Sequence, residues 1–394
     1  MPGFNGQLRS NEIFSALYNM IISQEVFADN IGKHQTLVDK ARVDGGLYGD
    51  TKLYYASDAL KSAPWGGDAE ATNLLALHRP AAPQCQAIVL DTFRQISLTV
   101  DNYLSKRAWS TEGAFSSFNS VMLGWIRTTK DVYDGTLYNA YMGTAKSAAP
   151  ISEVSVDITA ARGNASTETE ANQLEAEAIA KSLADLMVKM GDYNREYNDY
   201  GFLRSYKESD LIVVWNSDFV NKIRKIDLPT IFHKEGLVDK FAEEVLPARY
   251  FGVKIDASNI ATYSDSTPAP GKPIDSDNGQ YTPGTNNANG CIRSLVEKDY
   301  TVGGTTYHVF PGDELVATAT ILSSGGNFGY GEVYIETKDV ICKVLTKLPP
   351  YMSAFEVGTS FFNPKSLTEN HYLTFGHNTI EYLKNYPFVT VKAV

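Results

Sequence analysis

Histidine side chains can carry acid–base or metal chemistry, and two of them in this sequence have a suitable spacing. The chain contains six: His34, His78, His233, His308, His371 and His377. His371 and His377 are six residues apart in a segment that alternates like a strand, so an uninterrupted pleat places both on one face. Such a pair suits a metal ion or a hydrolase, but a zinc site needs a third protein ligand, and neither HExxH nor HxH supplies one.

The motifs that bind phosphate, activate a serine or bind calcium are missing from the sequence. A P-loop needs Gly-Lys followed by Ser or Thr, whereas the two Gly-Lys pairs here precede His34 and Pro273. There is no GxSxG elbow, and Asp-Asn-Gly at 277–279 lacks the spaced carboxylates and distal Glu of an EF-hand. The glycines of "VGGTTYH", 302–308, indicate a hairpin turn. We therefore predict no catalytic, cofactor-binding or metal-binding residues.

The stretch "SDLIVVWNSDFVNKIRK", 209–225, combines a buried strand with a polar break. The run from Leu211 to Trp215 has no alternation, which is typical of a strand covered on both faces. Asn216 and Asp218 then interrupt it, either as a catalytic pair at a strand end or as the cap and turn of a short helix. Because no nucleophile, phosphate loop or metal ligand set accompanies them, we predict the cap, within the sheet of a rigid subunit.

Composition and charge narrow the class of protein. The chain has 394 residues, 43% hydrophobic and 21% charged, which are ordinary values for a globular protein. A formal net charge of −11 argues against a protein that wraps nucleic acid through Lys and Arg. Three cysteines without a CxxC spacing favour partly buried thiols over disulfides or zinc. The sequence shows neither a signal peptide nor an apolar run long enough to span a membrane, so we expect synthesis and use without secretion.

Two long amphipathic helices are predicted. The first begins near Ser110 and continues to about residue 146, with an apolar stripe that includes Trp125, Val132 and Ala140 and three glycines that would weaken it. The second opens with the capping box Thr167 to Glu170 and turns Leu174, Ile179, Leu183, Leu186 and Met190 inward. Its early glutamates, Glu168, Glu170, Glu175 and Glu177, lie near the positive end of the helix and need no catalytic role.

Extended segments surround these helices. A strand at 53–55 and a long period-two strand at 88–101 flank an irregular stretch, 64–83. Together they predict a two-stranded excursion, meaning a projecting β-ribbon that is only marginally stable in water unless it packs against another surface. "ISEVSVDITA" at 151–160 predicts another strand. "EGLVDKFAEEVLPARYFGVKI", 235–255, predicts a helix stopped by Pro247, with Glu243 and Glu244 on its solvated face, and then a strand. Residues 258–290 are rich in Ser, Pro, Asn and Gly and predict a surface loop, after which the chain becomes strand-rich.

This order of elements resembles the major capsid proteins of tailed bacteriophages, which have the HK97-like fold, and most closely those of small podoviruses of Gram-positive hosts. The likeness is sharpest in residues 209–225 and in "FFNPKSLTENHYLTFGHNTIEYLKNYPFVTV", 361–391. The resemblance implies an α+β capsid fold with a central β-sheet in its axial domain. The implied domains are an N-terminal arm 1–45, an extended E-loop 46–108, a peripheral domain with a long spine helix 109–166, an axial domain 167–345 containing the loop 258–290, and C-terminal return strands 346–394.

The resemblance also implies a function and partners. A protein of this family assembles as pentamers and hexamers into an icosahedral shell around double-stranded DNA, which it encloses without sequence-specific binding. Scaffolding and portal proteins are its expected partners, no membrane is involved, and the expected location is the virion capsid after synthesis in the host cytoplasm. Some relatives form Lys–Asn crosslinks, but the trio required has no match here, so we predict none and no enzyme activity. The alternatives are another virion protein, such as a tail or receptor-binding component, and a hydrolase that uses His371 and His377.

Overall fold

The computed structural model describes residues 36–46, 49–62, 77, 79–101, 112–224, 242–255, 292–302, 304–315, 328–329 and 331–394. Most of the predicted arm 1–45, Ser110, three histidines (His34, His78 and His233), Cys291 and the loop 258–290 lie outside the described residues. The chain divides into two compact units. The first comprises 1–51, 89–136 and 351–379, and the second comprises 52–88, 137–350 and 380–394.

Five α-helices are described, and the two longest are those that the sequence predicts. They are α1 Thr36–Ala41, α2 Glu112–Thr144, α3 Ile158–Arg162, α4 Glu168–Gly191 and α5 Ser217–Arg224. The predicted cap of α4 is confirmed, because the Thr167 side chain accepts a hydrogen bond from the Glu170 amide. The Glu170 carboxylate accepts from the Ser166 amide, one residue before the N-cap amide of a standard capping box. Glu175 is buried in an ion pair with Arg162, 2.6 Å between Nη1 and Oε2.

The strands of the first half of the chain are β1 Arg42–Val43, β2 Lys52–Ala56, β3 Gln84–Ile88, β4 Leu90–Asp101, β5 Glu153–Val156, β6 Ile212–Asn216, β7 Ala242–Leu246 and β8 Gly252–Lys254. The remaining strands are β9 Ile292–Ser294, β10 Lys298–Val302, β11 Thr305–Val309, β12 Val333–Glu336, β13 Val340–Leu345, β14 Tyr351–Asn363, β15 Thr368–Asn378 and β16 Phe388–Ala393. β10 and β11 form the hairpin that "VGGTTYH" predicts.

The first unit contains a four-stranded sheet in the order β1-β14-β15-β4. β14, β15 and β4 pair antiparallel along most of their length, whereas β1 adds only two parallel pairs, at Tyr351 and Met352. The predicted alternation in β4 is confirmed, since Leu90, Ile96 and Leu98 are partly buried while Asp91, Gln95, Ser97 and Thr99 are exposed. β4 pairs with β15, however, so the prediction that residues 88–101 form one strand of the two-stranded excursion was wrong beyond Ile88.

The second unit is built on a five-stranded sheet in the order β5-β16-β13-β6-β7. Helix α4 contributes Ile179, Leu183, Leu186 and Met190 to the core that also holds the apolar side chains of β6, β13 and β16. Each fully buried side chain of this kind stabilises the fold by about 1.5–3 kcal/mol relative to exposure. A smaller sheet, β8-β12-β9, has a separate core.

Two local predictions in the second unit are corrected by the sheet. Residues 242–246, expected to be helical, form β7, and Glu243 and Glu244 are partly buried strand residues. β7 pairs in parallel with the buried β6, and those ladder hydrogen bonds outweigh the helix propensity of Ala and Glu. The strand predicted at 151–160 covers only Glu153–Val156, because Asp157 caps the short helix α3 through a hydrogen bond from the Ala160 amide.

Candidate functional site

The two histidines singled out by the sequence lie on the same strand and do not form a shared site. His371 and His377 both belong to β15, where they face Leu98 and Thr92 of β4. Six residues of strand separate them by roughly 20 Å. His371 lies 3.9 Å from the Glu369 carboxylate, whereas His377 is buried. The prediction that they share a face agrees with the register, but the distance rules out a common ligand.

His377 is a fully paired core residue. Its Nδ1 lies 3.0 Å from the Asn378 carbonyl oxygen, which can only accept, so Nδ1 carries the proton. Nε2 is then an acceptor for the Tyr133 hydroxyl at 2.8 Å. Burial lowers the pKa of His377, although the neighbouring Asn378 carbonyl and the Asp134 carboxylate oppose that shift. The neutral imidazole therefore holds β15 against α2, and this is a structural role.

A buried carboxylate beside His377 is the centre of the polar network in the first unit. Asp134 has no exposed surface, and it accepts hydrogen bonds from the Tyr351 hydroxyl at 2.6 Å, Lys130 Nζ at 3.1 Å and Arg42 Nη2 at 3.3 Å. Lys130 also lies 3.3 Å from Ser353 Oγ. The predicted apolar stripe of α2 missed Lys130 and Asp134. Their i, i+4 spacing was the available signal, but it is equally typical of a surface pair.

The junction between β6 and α5 is the cap that the sequence predicts. The Asn216 side-chain oxygen accepts a hydrogen bond from the Asp218 amide at 3.1 Å, at the second position of the helix. Its Nδ2 donates to the Val340 carbonyl oxygen at 2.9 Å, which ties the junction to β13. Asn216 is 1% exposed, so neither group is available to a substrate. The cap interpretation is confirmed.

One face of the sheet in the first unit is exposed and almost uncharged. Strands β4, β15 and β14 contribute to it, in cross-strand register, Phe93, Gln95, Ser97, Thr99, Asn370, Tyr372, Thr374, Val357, Thr359 and Phe361. Cross-strand hydrogen bonds join Gln95 to Thr374 and Thr99 to Asn370, while Phe93 and Phe361 are 56% and 64% exposed. Among the described strands, none pairs with the outer edge of β4 or with the outer edge of β14 beyond Met352. Such edges favour pairing with another chain.

A second exposed apolar surface lies on the hairpin of β2 and β3 in the other unit. Leu53 pairs with Ala87 and Tyr55 pairs with Cys85, so all four share one face. Leu53 is 51% exposed, Tyr55 is 67% exposed, and Cys85 is exposed as well, contrary to the predicted partly buried thiol. A two-stranded ribbon with an exposed apolar face is marginal in water unless another surface covers it.

Two sets of hydrogen bonds tie the hairpin to other segments of the second unit. The Gln86 side-chain amide donates to the Tyr382 carbonyl oxygen at 3.0 Å and accepts from the Lys384 amide at 3.0 Å. Just beyond the end of β2, Asp58 accepts from Arg195 at 2.6 Å and from the Leu203 amide, and these bonds lower the pKa of Asp58 to about 2. Gln86 lies on the face opposite to Leu53 and Tyr55, so the ribbon is held through one face while its apolar face stays exposed.

These arrangements support contact between proteins. Within the described part of the chain, no three His, Cys, Asp or Glu side chains are grouped to hold a metal ion. No described helix combines the length and apolar character needed to cross a membrane. The chemistry available at the two exposed surfaces is backbone pairing at open strand edges together with burial of aromatic and aliphatic side chains.

Comparison with known proteins identifies the fold. No family model matches this chain, and no curated protein matches it. Among solved structures, it is similar to a chain of the capsid structure of Staphylococcus phage Andhra, with a TM-score of 0.53 and 10% identity over 92% of this chain and 84% of that chain. It is also similar to a chain in a structure of the head fiber and inner core protein gp22 of native bacteriophage P68, with a TM-score of 0.50 and 10% identity over 86% and 80%. The chain therefore has an α+β fold that occurs in phage capsid structures.

Proposed function

We propose that this chain is the major capsid protein of a tailed bacteriophage and self-assembles into an icosahedral shell around double-stranded DNA. The observation that carries the proposal is a fold shared with a phage capsid structure over 92% of the chain. The exposed apolar face of the β2–β3 hairpin and the open edges of β4 and β14 support it, because an isolated subunit would leave them uncovered. The proposed role is structural and involves no enzyme activity.

The proposed partners are further copies of the same chain, arranged as pentamers and hexamers, with scaffolding and portal proteins as auxiliary partners. Each contact is modest, but many contacts per subunit in a closed lattice give collective stability. A net charge of −11 suits a container that encloses DNA without binding it tightly. On the sequence resemblance, we extend the proposal to the HK97-like domain division and to the small podoviruses of Gram-positive hosts.

The test is electron microscopy of the purified protein, alone and with its scaffolding protein, together with sedimentation velocity. Wild type is expected to form rings or shells. Tyr55→Lys places a charge on the apolar face of the hairpin and should abolish shells while the circular dichroism of the subunit stays unchanged. The matched control is Tyr193→Lys, at a tyrosine after α4 that is 76% exposed, compared with 67% for Tyr55; this variant should assemble normally.

Several outcomes would contradict the proposal. A stable monomer under all conditions, without rings or shells even beside scaffolding protein, would refute a shell function. A discrete trimer would favour a tail or receptor-binding component. Normal shells from Tyr55→Lys would leave the shell function standing but remove the hairpin face from its contacts.

A further inference from the structure

One buried side chain attaches the β2–β3 hairpin to the second unit in the way that a neighbouring strand would. Gln86 of β3 is 7% exposed and lies opposite Tyr54, on the face away from Tyr55. Its Nε2 donates to the Tyr382 carbonyl oxygen and its Oε1 accepts from the Lys384 amide, both at 3.0 Å. A carbonyl and an amide two positions apart are the groups that a parallel strand pairs with. Loss of the Gln86 amide therefore removes two hydrogen bonds at once.

The segment that receives Gln86 is itself fixed. The Tyr382 amide donates to the Tyr141 hydroxyl near the end of α2 at 2.7 Å, and the Tyr382 hydroxyl donates to the Asp199 carboxylate. The Asp199 amide in turn donates to the Lys384 carbonyl oxygen at 2.9 Å. Residues 382–384 are thus held from α2 and from the loop that contains Asp199, so a hairpin bonded to them takes its position from both.

A second attachment lies just beyond the end of β2. Asp58 Oδ2 is 2.6 Å from Arg195 Nη1, and Arg204 Nη2 donates to the Ser57 carbonyl oxygen at 2.7 Å. Both arginines belong to one loop, 194–204, which is closed by the paired backbone hydrogen bonds of Asn194 and Arg204. The loop therefore brings its two cations to the same stretch of the hairpin.

We propose that residues 194–204 and 382–384 form a socket that sets the direction of the β2–β3 hairpin in the free subunit, with Gln86 and Asp58 as positioning residues for assembly. Asp58 follows Tyr54, the partner of Gln86, by four positions, so the two attachments hold different points of the hairpin. Two points fix a direction, whereas one point leaves a pivot.

This inference rests on the proposed shell function and on the apolar face of the hairpin being one of its contacts. A hairpin that is already held in its binding direction loses less conformational freedom when a second copy covers it. The socket therefore lowers the subunit concentration needed for assembly, although none of its residues has to touch the neighbouring copy.

Amide hydrogen exchange of the full chain, below the concentration at which shells form, tests the socket in the subunit. Gln86→Met keeps the length of the side chain and should speed exchange in residues 52–56 and 84–88 by about tenfold, without change in β6 and β13. The matched control is Gln84→Met, at an exposed glutamine on the same face of β3, which should leave the exchange unchanged. Asp58→Asn breaks a partly exposed ion pair and should speed exchange about threefold.

Sedimentation velocity over a concentration series tests the role in assembly. Gln86→Met should raise the concentration at which shells appear by about tenfold, and the shells that form should look like those of wild type in electron microscopy. Gln84→Met should assemble at the wild-type concentration. Arg195→Lys keeps the charge opposite Asp58 and should assemble closer to wild type than Arg195→Gln does.

The outcomes separate the socket from the shell function. Equal exchange in Gln86→Met and Gln84→Met would overturn the socket, whether or not wild type forms shells. Faster exchange with an unchanged assembly concentration would overturn the role in assembly. If wild type forms no shells, the shell function fails and the role in assembly fails with it, while exchange still decides the socket. If Gln86→Met does not fold, Asp58→Asn decides in its place.

Discussion

Replacement of Lys343 by methionine tests how the second unit tolerates a lysine in its core. Lys343 lies in β13, the central strand of the five-stranded sheet, and is 2% exposed. Its Nζ donates a hydrogen bond to the Ala145 carbonyl oxygen just after α2 and lies 5.3 Å from the centroid of the Phe388 ring. Burial, with a smaller contribution from Lys392, lowers the pKa of Lys343 to about 7.

This shift sets the sign and size of a pH dependence. Between the folded pKa of about 7 and the ordinary value of 10.5, the unfolded chain holds a proton that folded Lys343 lacks. The free energy of unfolding therefore rises with pH in this window, by about 1.4 kcal/mol per pH unit. Integrated from pH 7.5 to 9.5, the contribution of Lys343 is about 2.5 kcal/mol. Loss of the hydrogen bond to Ala145 costs about 1 kcal/mol and does not depend on pH.

The assay is urea denaturation at pH 7.5, 8.5 and 9.5, followed by circular dichroism. Lys343→Met should be more stable than wild type at pH 7.5, and its advantage should shrink by about 2.5 kcal/mol by pH 9.5. Lys181→Met, at an exposed lysine of α4, is the control and should differ from wild type by a constant amount. A constant difference between wild type and Lys343→Met across the three pH values would show that Lys343 stays charged in the fold and would refute the reasoning.

Three further predictions concern other buried contacts. Wild-type stability should fall as the pH drops below 6.5, because the pKa of His377 is lowered in the fold and the unfolded chain therefore takes up the proton first. His377→Gln should show a smaller decline in thermal midpoint between pH 7.5 and 5.5 than wild type. An unchanged decline would contradict a neutral, buried His377. Gly143→Ala should lower the free energy of unfolding by several kcal/mol, since the added Cβ would lie 1.9 Å from the Tyr250 carbonyl oxygen. Gly124→Ala on the same helix adds a Cβ in open space and should raise it by about 1 kcal/mol in the same urea denaturation assay. Asn216→Ala should cost about 2 kcal/mol through the lost cap and the lost buried hydrogen bond. Asn216→Ser keeps a capping oxygen without placing a charge beside the Val340 carbonyl and should cost less, whereas equal losses would argue against the cap.

The elements that the sequence predicted correctly are those whose signals are local. Helix α4 has an N-terminal cap and a period of 3.6, and both survive in the fold. The run ending in Asn216 has a buried strand and a cap within a few residues of each other, so neighbouring positions carry the whole signal. β4 alternates because one face of a strand is partly buried and the other is solvated. Alternation also places His371 and His377 on one face, but it does not specify how far apart they are. In the fold, six residues of β15 separate them by roughly 20 Å, which is too far for a shared site.

The misses follow from contacts between segments far apart in the chain. Residues 242–246 have a helical composition, yet they form a strand because β6 offers an unpaired edge to them. Strand β4 was assigned to the wrong partner because alternation specifies a buried face and not the strand that lies beside it.

The sequence by itself determined that this chain is α+β, with two long helices, a capped strand-to-helix junction and no recognisable catalytic motif. Only the tertiary structure decided which charges lie inside it. Arg42 and Asp134 are 92 positions apart, and Lys343 is 198 positions from the carbonyl that it binds. A lysine or aspartate has the same local sequence signature on a surface as in a core. Its burial is set by the partners that the folded chain brings to it, because those partners compensate the free-energy cost of removing the charge from water.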